Sequence, residues 1–363
     1  MIPVYLSQFQ LCSALADNLS QSVSRYTKGE LPEVSYGKDS LALPYFAAPH
    51  SDQDLPVRLH QLLQATLTAA DLKPEDCLLL IASTALDVSL LEQRLAQGEP
   101  LNMAILPSFD SFNHKLNAEF NFAAVRIINT ACTSAANALL YSQRMLQAAL
   151  YQHVLILAFE PPGQITRSGF NALALTSASE QYRPFHPQRD GLILGETYAT
   201  AIVSTQPDKQ PLATLLGGYS ACDTYNITTT AEDGSHIAQV MQLALEQSTV
   251  NLDDVGLLKL HGTATLANDT AEQNGILRLF TNQIPPLAVL KPYLGHTLGA
   301  CGLSELALLF AALQYDAIPA LPYASQASLP FSRDRIKLKS DEIVMANFFG
   351  FGGNNASLLL RKC

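Results

Sequence analysis

The sequence predicts an α/β protein built from two similar halves. Strand-like and helix-like segments alternate along most of the 363 residues, which is the pattern of α/β folds. The second half, 206–363, repeats the style of the first, 1–205, and the polar, proline-bearing segment STQPDKQP at 204–211 marks a hinge between them. A composition that is 48% hydrophobic and 15% charged supports a sizeable core without disulfides or metals.

Three buried strands are predicted in the first half. Each is a short apolar run: CLLLIAS at 77–83, VRIINTA at 125–131 and VLILAFE at 154–160. A helix is predicted between the second and third runs, because small and apolar residues recur there at spacings of three and four: Ala135, Ala138, Leu139, Ser142, Leu146 and Ala149. The local order is therefore strand, Cys132, helix, strand.

The second half alternates in the same way. Its predicted helices are HIAQVMQLALEQS at 236–248, a segment at 268–280 with Asp269 and Thr270 as caps, and the apolar LGACGLSELALLFAALQY at 298–315. Its predicted strands are LATLLGGYSAC at 212–222, VGLLKLHG at 255–262, and two strands around a glycine turn in IVMANFFGFGGNNASLLL at 343–360.

Composition and charge exclude several classes of protein. A net charge of −10 and the lack of any Lys or Arg run argue against nucleic-acid binding. The six cysteines form no CxxC pair, which argues against a zinc ribbon or a disulfide framework. The N-terminus lacks the positive region of a secretory signal, and the apolar run at 297–315 contains Glu305, so no membrane span is expected. We expect a reduced, cytoplasmic protein.

Cys132 is the candidate nucleophile. It lies in NTACTSAAN at 129–137, where a strand ends and a helix begins. The helix dipole and unpaired N–H groups favour an anion there, so we expect a lowered thiol pKa and donors for an oxyanion. The alternative is a buried, inert cysteine, which the burial preference of this residue type favours for a lone cysteine in an apolar strand.

Two histidines strengthen the catalytic interpretation. A lone histidine is more often structural, but His261 and His296 share a context of an apolar segment followed by small residues and threonine. Lys291 precedes His296 by five positions, and Glu305 follows it by nine, from where it can turn back to pair with Lys291. Neither histidine lies in a zinc-binding spacing, so no metal site is expected.

The segment FFGFGGNNA at 348–356 predicts a glycine turn that approaches a ligand closely and places a movable ring over a pocket. It lacks the spacing of both phosphate-binding glycine motifs, so we do not interpret it as a nucleotide site.

Four motifs together resemble the β-ketoacyl-[acyl-carrier-protein] synthase family of the thiolase superfamily. They occur in the family's order between residues 120 and 360: TACTSA, HGTATLAND, KPYLGHTLGACGLSE and NFFGFGGNNA. YRPFHPQRDGLILGE at 182–196 resembles a fifth, RPFD-x-x-RDGF-x-x-GE. The resemblance implies a thiolase-like fold with a layered α-β-α-β-α core, and no cofactor.

The resemblance also implies a decarboxylative Claisen condensation. Cys132 would take an acyl group from the phosphopantetheine thioester of an acyl carrier protein. His261 and His296 would bind the malonyl thioester carbonyl and promote loss of CO2, and the carbanion would attack the acyl-Cys132 thioester. Neutral imidazole N–H donors suit this task, because they stabilise an enolate without readily protonating it.

The same resemblance implies supporting roles. Backbone N–H groups of Cys132 and Phe351 would form the second oxyanion hole, and Phe351 would be the gate. Lys291, paired with Glu305, would fix His296 and the local field. The remaining candidates for supporting residues are Phe349, Thr263 and Thr265. The thiolase branch carries a second catalytic cysteine where this chain has GFGGNN, which argues against a non-decarboxylating thiolase.

Departures from the family pattern indicate a specialised member. The N-terminal third matches poorly, His186 replaces the usual aspartate, and Thr197 follows Glu196 where glycine is usual. Such divergence resembles ketosynthase subunits of polyketide or aryl-polyene pathways, acting as a homodimer or as a heterodimer with a related subunit. Two other interpretations stay open: a chain-length-factor partner that shapes the pocket without elongating, and a carrier-protein binding module that retains only the fold.

Overall fold

The computed structural model describes residues 2–36, 42–50, 53–86, 88–99, 109–206, 210–226, 230–315, 318–323, 329–339 and 341–363. The strands in these ranges are β1 (Val4–Ser13), β2 (Ser35–Tyr36), β3 (Pro44–Phe46), β4 (Cys77–Ala82), β5 (Ala124–Ile128), β6 (His153–Glu160), β7 (Leu194–Gly195), β8 (Thr197–Ser204), β9 (Ala213–Cys222), β10 (Val255–Lys259), β11 (Leu287–Ala288), β12 (Ile343–Phe349) and β13 (Asn354–Lys362). The helices are α1 (Leu19–Thr27), α2 (Leu55–Ala70), α3 (Val88–Ala96), α4 (Phe109–Phe120), α5 (Ser134–Gln147), α6 (Gln164–Ala172), α7 (Ser235–Ser248), α8 (Leu266–Leu279), α9 (Lys291–Leu294) and α10 (Cys301–Leu313).

Ten strands form one sheet in the order β11-β10-β12-β13-β9-β1-β8-β6-β4-β5. The sheet consists of two sets of five strands that meet at the β9–β1 contact: β1, β4, β5, β6 and β8 on one side, and β9 to β13 on the other. In each set the first strand along the chain (β1 or β9) lies at the centre of the sheet, and the third (β5 or β11) lies at its outer edge. The pairing senses also repeat, since β4 is parallel to β5 and β6, and β10 is parallel to β11 and β12, while the inner pairs are antiparallel. β1 and β9 join the sets by antiparallel pairing.

Side chains that alternate along the strands separate the helices into layers. In β4, Leu78 and Leu80 face a central core that contains α5 and α10, whereas Leu79 and Ile81 face an outer core with α2 and α4. In the second set, the alternate residues of β12 face the same central core or an outer core with α7 and α8. The result is the predicted α-β-α-β-α arrangement.

All the strands and helices singled out in the sequence are present, but VRIINTA, expected to be a buried strand, is the edge strand β5 and is mostly only partly buried. The central strands β1 and β8 were not predicted, and neither were helices α1, α2, α3, α4 and α6. Helix α8 begins at Leu266 with Thr265 as its N-cap, so the expected caps Asp269 and Thr270 are wrong. Asp269 instead accepts hydrogen bonds from the backbone N–H groups of Thr263 (2.9 Å) and Phe185 (2.7 Å).

The division into residues 1–205 and 206–363 stays a prediction, and residues 207–209 of the expected hinge lie outside the described ranges. Among the helices in those ranges, none has the length and hydropathy needed to cross a bilayer.

Candidate active site

A tight turn at residues 129–133, here the nucleophile turn, positions Cys132 between β5 and α5. Ala131 has a left-handed φ of 53°, and Ser134 stabilises the turn by accepting from the Thr130 N–H (2.9 Å) and donating to the Ala131 carbonyl (2.7 Å). Cys132 is 2% exposed and packs in an apolar cluster with Leu298 and the partly buried Phe351. The turn therefore presents the thiol to the interior.

The expectation of a lowered Cys132 pKa is wrong in this conformation. Burial, followed by the nearby Cys301, raises the pKa of the thiol to about 12. The Phe351 N–H, which hydrogen-bonds to the sulfur, and the Lys291 ammonium lower the pKa but do not reverse the effect of burial. Cys132 is accordingly a neutral thiol at physiological pH while the sulfur stays covered.

The cover is the glycine turn at residues 350–353, between β12 and β13. A Cβ on Gly350 would lie 3.3 Å from the Cys132 nitrogen, so the two turns are in close contact. The Asn354 side chain links them, because its Oδ1 accepts from Thr133 Oγ1 (2.9 Å) and Asn137 Nδ2 (3.0 Å). This link between the two turns was not predicted from the sequence. The signal for it was the presence of short polar residues beside the small ones in both segments, namely Thr133, Asn137 and Asn354.

His261 follows β10 in a turn held by α8. The Glu272 carboxylate accepts from the backbone N–H groups of His261 (2.7 Å) and Gly262 (2.8 Å). Lys291 Nζ lies 3.2 Å from His261 Nδ1 and 2.8 Å from the His261 carbonyl oxygen. An ammonium only donates, so Nδ1 is the acceptor and Nε2 carries the ring proton.

His296 is held in the same tautomer by different groups. Its backbone N–H donates to the Ile193 carbonyl (2.7 Å), which fixes the residue beside the β7 segment. Its Nδ1 accepts from the Leu298 N–H (3.2 Å) and lies 3.3 Å from the Cys301 sulfur. Nε2 therefore carries the proton, and this buried atom has no hydrogen-bond partner among the described residues.

The two imidazoles meet at one cavity of about 80 Å³, here the histidine cavity. Their ring centroids are 5.4 Å apart and their planes are almost perpendicular, at 85°. Burial, followed by the charge of Lys291, lowers the pKa of both rings well below the ordinary value. The cavity is also lined by other predicted supporting residues, namely Thr263, Thr265, Phe349 and Phe351. Cys132 does not line it and lies behind Phe351.

The predicted Lys291–Glu305 pair is present, with Nζ 2.7 Å from Oε1 and both side chains fully buried. Lys291 contacts His261, whereas its influence on His296 is through charge only. Glu305 also binds a second ammonium, that of Lys259, through Oε2. Sequence reasoning missed Lys259, and the signal for it was a lysine inside the apolar strand run LLKLH.

The fifth motif is hydrogen-bonded to parts of the fold outside the site. Glu196 accepts from the Ala48 N–H (3.0 Å) and the Tyr198 hydroxyl (2.8 Å). Thr197, where the family pattern has glycine, donates to the Cys12 carbonyl (3.1 Å), and His186 accepts from the Gln188 N–H (3.1 Å).

In the described part of the chain no group of three or more His, Cys, Asp or Glu residues is arranged to hold a metal ion.

Comparison with known proteins gives two adjacent family matches. Residues 93–209 match the N-terminal domain of beta-ketoacyl synthases, and residues 212–323 match the C-terminal domain. 3-Oxoacyl-[acyl-carrier-protein] synthase 2 of Rhizobium meliloti is 27% identical over 69% of this chain and 63% of its own length. The tetracenomycin polyketide synthase ketoacyl synthase alpha subunit of Streptomyces glaucescens is 26% identical over 66% and 60%. The matched region thus spans less than two thirds of these relatives.

Solved structures resemble the whole chain. A ketosynthase (ApeO) in complex with its chain length factor (ApeC) from Xenorhabdus doucetiae matches with a TM-score of 0.83 at 22% identity, covering 99% of this chain and 98% of that one. AntDE:AntF, a type II polyketide synthase acyl-carrier protein in complex with its ketosynthase, matches with a TM-score of 0.86 at 19% identity, covering 99% of both. The shared fold therefore includes the N-terminal third, where the sequence motifs match poorly.

Proposed function

The chain belongs to the β-ketoacyl synthase family, and from that premise we propose that it catalyses a decarboxylative Claisen condensation between an acyl group on Cys132 and a carrier-bound malonyl group. The observation that carries the proposal is the pair of imidazoles at the histidine cavity. His261 and His296 are both neutral, and in both Nδ1 is an acceptor, which leaves an Nε2–H on each ring. Two such donors can bind one thioester oxygen.

In the first proposed step, the Cys132 sulfur forms a thioester with the acyl group, and the phosphopantetheine thiol of the carrier protein leaves with the proton. In the second, the malonyl carbon–carboxylate bond breaks, CO2 leaves, and the electron pair becomes a thioester enolate. His261 and His296 stabilise that enolate oxygen. The enolate carbon then attacks the acyl carbonyl, the carbon–sulfur bond breaks, and Cys132 recovers a proton.

Phe351 is proposed to control the first step. In the described conformation its N–H contacts the Cys132 sulfur, and its ring packs edge-on against Phe170 at 5.6 Å between centroids. Displacement of this ring would expose the thiol to the histidine cavity. The N–H groups of Cys132 and Phe351 would then bind the oxyanion that forms on the acyl carbonyl.

The proposed substrates are acyl and malonyl groups on an acyl carrier protein, in a specialised fatty-acid or polyketide pathway of the aryl-polyene kind. The proposed assembly is a homodimer or a heterodimer with a related ketosynthase subunit. A cytoplasmic location is part of the proposal, since a reducing compartment keeps a nucleophilic cysteine in its free thiol form.

A chain-length-factor role is the second candidate function. One observation favours it: Cys132 is covered by Phe351, and burial raises the pKa of its thiol to about 12. A subunit that only shapes the pocket of a partner would have no need of an accessible sulfur.

Intact-mass measurement separates the two candidates. The protein is incubated with an acyl-loaded carrier protein, alone and with a related ketosynthase subunit. We expect the acyl mass on the chain, its loss in Cys132→Ala, and its retention in the control Cys363→Ser, which changes an exposed cysteine. Absence of an adduct under both conditions would reject the condensing role and favour the chain-length-factor role.

A further inference from the structure

Lys259 is a fully buried charge that the proposed reaction steps do not use. It lies in β10, two residues before His261, and its side chain is 0% exposed. Its ammonium binds Glu305 Oε2, donates to the Asn347 carbonyl (2.8 Å), and lies 3.6 Å from the ring centroid of Phe348. Neither Lys259 nor any of these partners lines the histidine cavity, so Lys259 acts on the site only through other residues.

Glu305 consequently joins two ammonium groups, with Lys291 on Oε1 at 2.7 Å and Lys259 on Oε2. Two lysines and one carboxylate give these three groups a net charge of +1, and the buried Glu272 carboxylate is the further negative group that the Lys259 charge reaches. A single lysine would neutralise Glu305, and burying a further ion carries a desolvation penalty. Neutralising Glu305 therefore does not by itself require the second lysine.

The neighbours of this cluster show what its charge acts upon. The titratable groups in the described part of the chain that interact with its charges are Glu272 from α8, Cys301 from α10, Cys132, Tyr26 from α1, Tyr182 and the two imidazoles. Burial and the Lys291 charge are the main causes of the lowered imidazole pKa values, and the Lys259 charge contributes to both. Burial lowers the pKa of Lys259 itself to about 8, so the amine is charged in the pH range where imidazoles ordinarily titrate.

We infer that Lys259 is a positioning residue for the condensation proposed above: it occupies the second oxygen of Glu305, holds Lys291 against His261 Nδ1, and supplies the positive charge that keeps both imidazoles neutral. Without Lys259, Glu305 would have one free oxygen in the interior. Its less compensated negative charge would then favour the protonated form of both imidazoles.

The test is an NMR titration of the histidine Cε1–H signals in Lys259→Met, which has a similar length and no charge. His261→Gln and His296→Gln identify the two signals. We expect the midpoints of both imidazoles to rise by about one pH unit, as for the loss of a nearby like charge. Lys73→Met, which removes an exposed ammonium, is the control and should leave both midpoints unchanged.

This measurement needs no substrate, so it stands apart from the test of the condensing activity. If the chain also decarboxylates malonyl-carrier protein, the acid limb of that rate should move upward with the imidazole midpoints. Lys259→Gln, which keeps a donor toward Glu305, is the second variant if Lys259→Met does not fold. Unchanged midpoints in a folded variant would overturn the inference, as would the failure of both variants to fold, because Lys259 would then serve stability alone.

Discussion

At the residue scale, the chemistry depends on which nitrogen of each imidazole holds the proton. His261 Nδ1 faces an ammonium, and His296 Nδ1 faces the N–H of Leu298. Both rings thus keep Nε2–H, and their lowered pKa values extend the neutral form to pH values below the ordinary midpoint of about 6.5. Because the pKa of both imidazoles is lower in the folded than in the unfolded state, the free energy of unfolding keeps their full contribution above pH 6.5. It loses that contribution as the pH falls through the imidazole midpoints of the folded protein.

The first prediction concerns these donors. His261→Gln and His296→Gln should each lower the rate of malonyl decarboxylation by about 10²–10³, the usual effect of losing one oxyanion donor. Acyl loading of Cys132, measured by intact mass, should change much less. His114→Gln, on the exposed face of α4, is the control. Equal loss of loading and decarboxylation would show that the histidines do not act on the malonyl group.

The second prediction concerns the thiol. Because burial raises the pKa of Cys132 to about 12, its alkylation by iodoacetamide should accelerate about tenfold per pH unit from about pH 7 to 10 without levelling off. Peptide mass spectrometry separates this site from the other cysteines. A plateau near pH 7 would mean that the thiol pKa is lowered after all.

Local sequence located Cys132 but misjudged its ionisation. The helix-dipole argument uses only the residues next to the thiol, whereas the covering Phe351 lies 219 positions further along the chain (351 − 132). The same limit applies to Lys259, whose carboxylate partner belongs to α10. Motifs identify the reacting groups, but burial depends on what folds over them.

At the element scale, the contact between the glycine turn and the nucleophile turn controls access to the sulfur. The third prediction is that Phe351→Ala increases the alkylation rate of Cys132 at pH 8 by roughly tenfold, because an uncovered thiol returns toward its ordinary pKa. Tyr315→Ala is the control: it removes the ring of a residue that is 71% exposed and should leave the alkylation rate unchanged. An unaltered rate in Phe351→Ala would remove the gating role.

Helices α5 and α10 approach each other closely at Gly302. A Cβ there would lie 2.4 Å from the Ala136 backbone nitrogen, which cannot move without disturbing the start of α5. The fourth prediction is that Gly302→Ala lowers the free energy of unfolding in urea by about 1–3 kcal/mol, as expected for overpacking.

The matched control for that prediction is Gly169→Ala in α6, where an added Cβ meets nothing within 4 Å. There, alanine should stabilise the protein by about 0.5–1 kcal/mol, because glycine is unfavourable inside a helix. Equal effects of the two substitutions would contradict the close approach of α5 and α10.

Element type was predictable where apolar runs or spacings of three and four were strong, as in β4, β6, α5 and α10. β1 was missed although VYLSQFQLCS alternates between buried and partly exposed positions, which is the pattern of a strand. The start of α8 was misplaced because Asp269 serves the His261 turn and not the end of the helix. Such tertiary uses of a polar side chain have no local signature.

At the scale of the whole molecule, the halves share one sheet and one central core. α10, from the second half, is fully buried and packs against α5 and α1 of the first. The fifth prediction is therefore a single cooperative unfolding transition in urea, with amide exchange protection of α5 and α10 lost together. Two separate transitions, or a stably protected fragment of residues 1–205, would contradict it.

Two similar halves were predictable because strand-like and helix-like segments alternate in the same way in both parts of the sequence. In the structure, the two sets of strands have the same order in the sheet. What the sequence did not reveal is that the first strands of the two sets, β1 and β9, pair with each other. The N-terminal third shows a related limit, because its motifs diverge while its backbone keeps the family fold. Backbone topology tolerates side-chain changes that erase motifs, as long as the apolar pattern persists.

The central position of β1 has a consequence for synthesis on the ribosome. Its antiparallel neighbours, β8 and β9, begin 184 and 200 residues after β1 ends (197 − 13 and 213 − 13). At about 5–20 residues per second, the N-terminal strand waits about 10–40 s for its first neighbour. During that time the strand, with its apolar residues and both edges unpaired, is a natural target for chaperones, and slow codons before β8 would prolong its exposure.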